Sequence, residues 1–261
     1  MIKVAAIQIW HDDKDSNEDR IARAEKLIDD AADCNLIVLP ELWYVGVWSY
    51  DVYRESSEKI PGPVVTRIAE KARQLNTYIL AGSVIERDGD NLHNTAVMLD
   101  PRGKVIATYR KMHLVGSMGA REPEMFKPGT ELVAVKTELG VLGLSVCYDL
   151  RFPEFFRKLV FENDIEIILH PTAWPLSRLD DLRSFCSVRA CENQCFLISA
   201  DVGGHNRGNP FAGHSAIVDP WGKRFAAAGL YERVIKAEID LKEVHQARKM
   251  LPLLKDRRLP I

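Results

Sequence analysis

The sequence predicts an α/β protein built as a four-layer α-β-β-α sandwich, with two mixed sheets face to face and helices outside. Three observations carry that prediction. Short apolar runs alternate with amphipathic helical stretches from the first residue, turn-rich hairpins follow each alternating stretch, and the scheme occurs twice without a linker or low-complexity break. Residues 2–9 and 35–39 read as strands around an amphipathic segment over 17–33, with Asp15, Ser16 and Asn17 as capping candidates. A second helix starts at Pro63, a residue suited to the first helical turn, and runs to Asn76. Strands at 78–86, 93–99 and 104–109 are separated by Arg87-Asp88-Gly89-Asp90-Asn91 and Asp100-Pro101-Arg102-Gly103-Lys104, turn signals that imply antiparallel pairing.

The second half follows the same logic. Strands are expected at 131–137, 141–146, 165–169 and 195–200, helices at 153–162 and 178–193, and hairpin strands after them. The turn Asp219-Pro220-Trp221-Gly222-Lys223 echoes the one at Asp100, a weak internal repeat. The tail from Leu241 begins as a polar helix and contains Pro252, Arg257 and Pro260, so 241–261 is expected at a surface or a subunit interface of one domain spanning 1–261.

With 261 residues, 46% hydrophobic and 28% charged, the chain can bury one large core. A net charge of -2, with Lys255-Asp256-Arg257-Arg258 as its longest and interrupted basic cluster, argues against a nucleic-acid partner. No apolar stretch approaches the roughly 20 residues that span a bilayer. The first residues, Met1 to Ile7, enter a strand pattern rather than a signal peptide, so no membrane partner and a cytoplasmic location are expected. Five cysteines, an odd number, suggest free thiols in a reducing compartment. Cys186, Cys191 and Cys195 form no Cys-x2-Cys pair and have no His beside them, so they read as core, and neither a metal nor another cofactor is expected.

Three strand exits carry the chemistry. Cys147 follows the apolar run Leu142-Gly143-Leu144-Ser145-Val146 and precedes a polar turn into a helix, where ligands of open α/β sheets bind and where a thiol can borrow a helix's positive end. Glu41 follows Leu36-Ile37-Val38-Leu39-Pro40. The strand Val105-Ile106-Ala107-Thr108-Tyr109 ends in Arg110-Lys111-Met112-His113, one of whose bases should face the same crevice. A thiol, a carboxylate and a lysine are what cysteine-dependent acyl hydrolysis requires: a nucleophile, an acid/base and an oxyanion donor. Lys111 and the Tyr148 backbone N–H could serve that oxyanion, each worth roughly 3 kcal/mol.

Leu39-Pro40-Glu41, Tyr109-Arg110-Lys111-Met112-His113-Leu114 and Cys147-Tyr148-Asp149-Leu150-Arg151-Phe152-Pro153-Glu154 resemble the three signature segments of the nitrilase, or carbon-nitrogen hydrolase, superfamily, in this order and across nearly the whole chain. The resemblance implies the sandwich fold and puts a Glu-Lys-Cys triad on Glu41, Lys111 and Cys147. It also implies a second glutamate before a Pro-Gly turn, which in Arg121-Glu122-Pro123-Glu124-Met125-Phe126-Lys127-Pro128-Gly129 falls on Glu122, with Glu124 as the fallback.

The Cys-Tyr-Asp-Leu-Arg-Phe-Pro-Glu form resembles the branch of ω-amidases and deaminated-glutathione amidases, whereas nitrilases proper and carbamoyl amidases more often carry Trp after the cysteine. His214-Ser215-Ala216-Ile217-Val218-Asp219-Pro220-Trp221-Gly222 and Asp240-Leu241-Lys242 look like the same branch. A small-molecule amide is therefore the expected substrate, hydrolysed through a thioester. Arg151 is the candidate clamp for a distal carboxylate, or else an ion-pair partner of Glu154 or Asp149. Thr172, Ala173 and Trp174 are candidate pocket walls. The resemblance also implies a homodimer or larger homo-oligomer. A carbamoyl amidase, a nitrilase, or a binding protein on this scaffold are the alternatives.

Overall fold

The computed structural model describes residues 1–117 and 119–259. Its first half runs β1 (Ile2–His11), α1 (Asn17–Asp29), β2 (Leu36–Val38), α2 (Pro63–Leu75), β3 (Tyr78–Asp88), β4 (Asn91–Leu99) and β5 (Val105–Arg110). After the short helix α3 (Glu122–Met125), the second half runs β6 (Ala134–Thr137), β7 (Gly140–Leu144), α4 (Pro153–Asn163), β8 (Ile167–Pro171), α5 (Leu179–Asn193), β9 (Phe196–Ala200), β10 (Val202–Asn206), β11 (Asn209–Pro210), β12 (Ala216–Val218) and β13 (Arg224–Ala227). The strand β14 (Arg233–Ile239) and helices α6 (Lys242–Met250) and α7 (Leu253–Asp256) follow.

Two mixed sheets result. In the first, β1, β2 and β3 are parallel neighbours, β4 and β5 continue antiparallel, and β14 lies antiparallel on β1, pairing Ile2 with Ile239. In the second, β7, β8 and β9 are parallel, β12 and β13 continue antiparallel, and β6 lies antiparallel on β7. The repeat suggested by the turns is therefore architectural. In both turns an aspartate oxygen accepts two backbone N–H bonds: Asp100 from Arg102 and Lys104 at 2.9 and 2.8 Å, Asp219 from Trp221 and Lys223, both at 2.9 Å. Beyond the shared scheme, β10 and β11 form a hairpin joined in parallel to β1.

Side-chain alternation sorts the layers. Along β1, Val4 and Ala6 face the second sheet, while Ala5, Ile7 and Ile9 pack with Ile21, Ala24, Leu27 and Ile28 of α1 and Val64, Val65 and Ile68 of α2. The other sheet is covered by α4 and α5, through Phe156, Leu159, Val160, Leu182, Cys186 and Ala190. This is the α-β-β-α sandwich the sequence predicts. Ser16 caps α1 with a complete capping box, its hydroxyl accepting from Asp19 N–H while the Asp19 carboxylate takes the Ser16 N–H.

Two expectations are corrected, the end of α1 and the burial of Cys191. Helix α1 ends at Asp29 rather than 33, where the chain passes into tighter turns: Ala31, Ala32 and Cys34 donate their N–H groups to carbonyls three residues back. Cys186 and Cys195 are buried but Cys191 is exposed, on the solvent side of α5, so only two of that trio are core. In the tail, α6 docks on its own chain: Val244 and Ala247 are buried, Arg248 donates to Ile165 O at 2.6 Å and Gln194 donates to Ala247 O and Leu251 O. Pro260 and Ile261 lie outside the described residues. Among the described residues no helix is long and apolar enough to cross a membrane.

Candidate active site

The parallel core strands of both sheets end on one side, and their exits bring the candidate residues together. Beyond β2, Pro40 stops the ladder and Glu41 makes a single bridge to Ser83 of β3. Glu41 is 1% exposed, and all its side-chain bonds point inward: Oε1 accepts from Asn94 Nδ2 and Lys111 Nζ, both at 2.8 Å, and Oε2 from the Ala173 N–H at 3.1 Å. Lys111, directly after β5, is equally buried and donates a second bond of 2.8 Å to Glu122 Oε1. Glu122 Oε2 in turn accepts the Val115 N–H at 2.8 Å. Glu124 forms a solvent-exposed ion pair with Arg121 instead, so Glu122 is the residue placed on the lysine.

Burial alone would discharge Lys111, yet the facing carboxylates of Glu122 and Glu41 hold its ammonium charge well above the ordinary lysine range. Burial raises the Glu122 carboxyl above its usual value, against the pull of Lys111. An ammonium has three N–H donors, and two are committed. Among the described residues the third has no acceptor and can serve a ligand.

Cys147 lies past β7 with φ of 46°, a left-handed conformation that costs a non-glycine residue energy. Asp149 holds that turn and is completely buried. Its Oδ2 accepts from Val146 N–H at 2.8 Å and Tyr109 hydroxyl at 2.7 Å, and its Oδ1 pairs with His113 Nδ1 at 2.7 Å. Tyr109 and His113 flank Lys111, so one carboxylate fixes the thiol turn and the lysine segment relative to each other. Sequence reading missed this role, having weighed Asp149 only as a partner for Arg151. Asn94 was missed too; β4 also carries Asn91, His93 and Thr95, so one more polar residue did not stand out.

The helix after Cys147 begins at Pro153, as the sequence predicts, but the thiol does not borrow its positive end. A short 3-10 turn over Cys147–Arg151 intervenes before α4, so the thiol does not sit at the positive end of a long helix. Burial, followed by the charge of Glu41, raises the thiol well above the ordinary cysteine range, while Lys111, the Thr172 hydroxyl and the Ala173 N–H act in the opposite direction. The resting sulfur is a thiol with a carboxylate nearby.

Cys147, Glu41, Lys111, Glu122 and Tyr148 line one cavity of about 210 Å³, together with Ala173, Trp174 and Arg151. Thr172 is not a wall: it is fully buried just past the end of β8, and Ala173, the next residue, lines the cavity instead. Arg151 pairs with neither Glu154 nor Asp149. Its Nη2 donates to Asp181 Oδ2 at 2.9 Å, and its guanidinium carbon lies 4.9 Å from the Trp174 ring centre and 5.4 Å from that of Phe185. Among the described residues, that is its only hydrogen bond, so the rest of the fork is available to the cavity it lines.

A buried carboxylate–ammonium–carboxylate row beside a thiol matches the chemistry of one known group of proteins. Residues 3–249 match the carbon-nitrogen hydrolase family. The chain belongs to that family. This hydrolase of carbon–nitrogen bonds is 35% identical, over 100% of its length and 90% of the relative's, to a 2-oxoglutaramate amidase of Paenarthrobacter nicotinovorans. It is 36% identical to a 2-oxoglutaramate amidase of Bacillus subtilis, with 91% of each chain covered, and 30% identical to an omega-amidase of Homo sapiens, with 92% and 90% covered. In three dimensions it resembles Saccharomyces cerevisiae Nit3, a member of branch 10 of the nitrilase superfamily, with a TM-score of 0.89 and 28% identity over 99% of this chain and 97% of that one.

Proposed function

We propose that this hydrolase is a cysteine-dependent amidase that converts a small amide carrying a distal carboxylate to the acid and ammonia. The observation that carries the reading is the pair of hydrogen bonds donated by Lys111 Nζ, 2.8 Å to both Glu41 and Glu122, in the wall of the cavity that holds Cys147. As the sulfur attacks the amide carbon, Glu41 takes the thiol proton; no free thiolate is needed, in keeping with the raised thiol. The third Lys111 N–H and the Tyr148 N–H receive the oxyanion. Glu41 then passes the proton to the departing nitrogen, the carbon–nitrogen bond breaks, and ammonia leaves behind a thioester. Water, deprotonated by Glu41, adds to the thioester, and expulsion of the sulfur returns its proton and releases the carboxylic acid.

Two things support the substrate class: Arg151 lines the cavity with part of its fork unused, which suits a carboxylate, and two relatives are named 2-oxoglutaramate amidases. The test is ammonia release from 2-oxoglutaramate, a deaminated-glutathione-type peptide amide, simple aliphatic amides, a carbamoyl amino acid and a nitrile, by wild type and Cys147→Ala. Turnover of acidic amides that vanishes in Cys147→Ala supports the reading. Turnover confined to the carbamoyl compound or the nitrile would move the enzyme to those branches, and no turnover by folded protein would favour a binding protein on this scaffold.

A further inference from the structure

Four of the seven tyrosines give their phenolic proton to a fixed acceptor: Tyr44 to Ser56 O, Tyr53 to Val47 O, Tyr78 to Glu138 and Tyr109 to Asp149. Tyr50 does not. Its ring packs edge-on against Tyr53, with centroids 5.3 Å apart, and Tyr53 stacks on Phe126. Its oxygen accepts the Arg121 N–H at 3.1 Å, so the side chain is oriented at both ends while its proton has no acceptor among the described residues. Tyr50 lines the cavity of Cys147 and Arg151, and its hydroxyl lies within the electrostatic reach of Glu122, Lys111 and Glu41. Tyr148, another cavity tyrosine without an acceptor among the described residues, accepts no such bond from them to aim its oxygen.

A hydroxyl that accepts one bond is left with one donor, and a fixed donor in a cavity wall reads an acceptor on the ligand. We propose that Tyr50 is the specificity-determining residue that donates to an oxo or hydroxyl oxygen on the substrate's acyl chain, between the scissile amide and the distal acid. This rests on the acidic-amide reading and narrows it to amides carrying an oxygen substituent. Such a donor discriminates because the analogue that lacks the oxygen leaves it unpaired.

Tyr50→Phe removes only the hydroxyl, and 2-oxoglutaramate and glutaramate differ only in the oxo oxygen. The ratio of kcat/KM for the two amides is expected to fall about tenfold in Tyr50→Phe, chiefly through KM. In a second arm the proteins carry Cys147→Ala, and calorimetry compares 2-oxoglutarate with glutarate; adding Tyr50→Phe is expected to lower the preference for the oxo acid by the same factor. Equal losses on both members of each pair, or no loss on either, overturn the assignment and make Tyr50 a wall only. If wild type hydrolyses neither amide, the acidic-amide reading fails by itself. The binding arm then still decides Tyr50, because oxo-acid binding that is absent or indifferent to the hydroxyl overturns it.

Discussion

The exits of β2 and β8 occupy the same place in their two sheets and differ most tellingly in the side chain after the proline. Leu39-Pro40-Glu41 and His170-Pro171-Thr172 both end a central parallel strand with a proline, and the two segments meet, since Glu41 N–H donates to Thr172 O at 3.3 Å. Past one proline stands a carboxylate, past the other a hydroxyl. The third strand of each sheet supports the loop in a like manner: Ser83 Oγ accepts Leu42 N–H at 3.2 Å, and Asp201 Oδ1 accepts Trp174 N–H at 2.9 Å. The repeated scaffold thus supplies two prepared positions, and the side chain after proline decides which of them offers a carboxylate to the lysine and the cavity.

Breaking the comparison at its charged member should have the largest effect. Glu41→Gln keeps the volume but cannot take the thiol proton, so kcat is expected to fall about 10²- to 10⁴-fold. Steady-state ammonia release measures it, and a loss under tenfold would remove Glu41 from the acid/base role. Glu122→Ala leaves Lys111 with one carboxylate, and a bond to a charged group is worth about 1.5–3 kcal/mol, so a loss of about 10- to 100-fold is expected while Glu124→Ala changes little. The reverse ranking would transfer the role to Glu124. At the partner exit the buried Thr172 hydroxyl has no hydrogen-bond partner among the described residues, so Thr172→Val should leave kcat within about threefold of wild type in the same assay.

The smallest effect sharpens the comparison between the supporting strands. Asp201 is completely buried, its Oδ2 lacks a partner among the described residues, and burial, against bonds from Trp174 and Val202 N–H, holds its carboxyl well above the ordinary aspartate range. A raised acid stabilises the fold fully below its unfolded value near 3.8 and loses that contribution as pH rises toward the folded value. The amide introduced by Asp201→Asn does not titrate. The variant should match wild type in thermal melts near pH 4 and melt higher at pH 7; a gap that is constant with pH would show an ordinary carboxylate.

Thiol labelling bears on the same site. Cys191 is exposed and Cys147 is buried and held as a thiol, so a general alkylating reagent should mark Cys191 first. An amide-shaped reagent that fits the cavity should mark Cys147 instead, and should lose that preference in Glu41→Gln.

Strands, helices and the strand-exit addresses of Glu41, Lys111 and Cys147 were legible because they depend on local alternation and on prolines and turns. The Asp-Pro-x-Gly-Lys turns were legible for the same reason, since each aspartate bonds residues two and four positions ahead. Asp149 and Asn94 were not, because their partners lie 36 to 53 residues away. Arg151 was found as a cavity residue but its anchor, Asp181, is 30 residues along and on another helix.

Periodicity and chain-local chemistry by themselves determined the sandwich, its repeated scheme and the residue types available for hydrolysis. Only the tertiary structure decided that Glu122 rather than Glu124 meets Lys111, that Thr172 is buried rather than in the cavity wall, and that burial raises the Cys147 thiol. The physical reason is that desolvation and charge pairing depend on which distant segments exclude water together, and a side chain's neighbours in sequence do not record that.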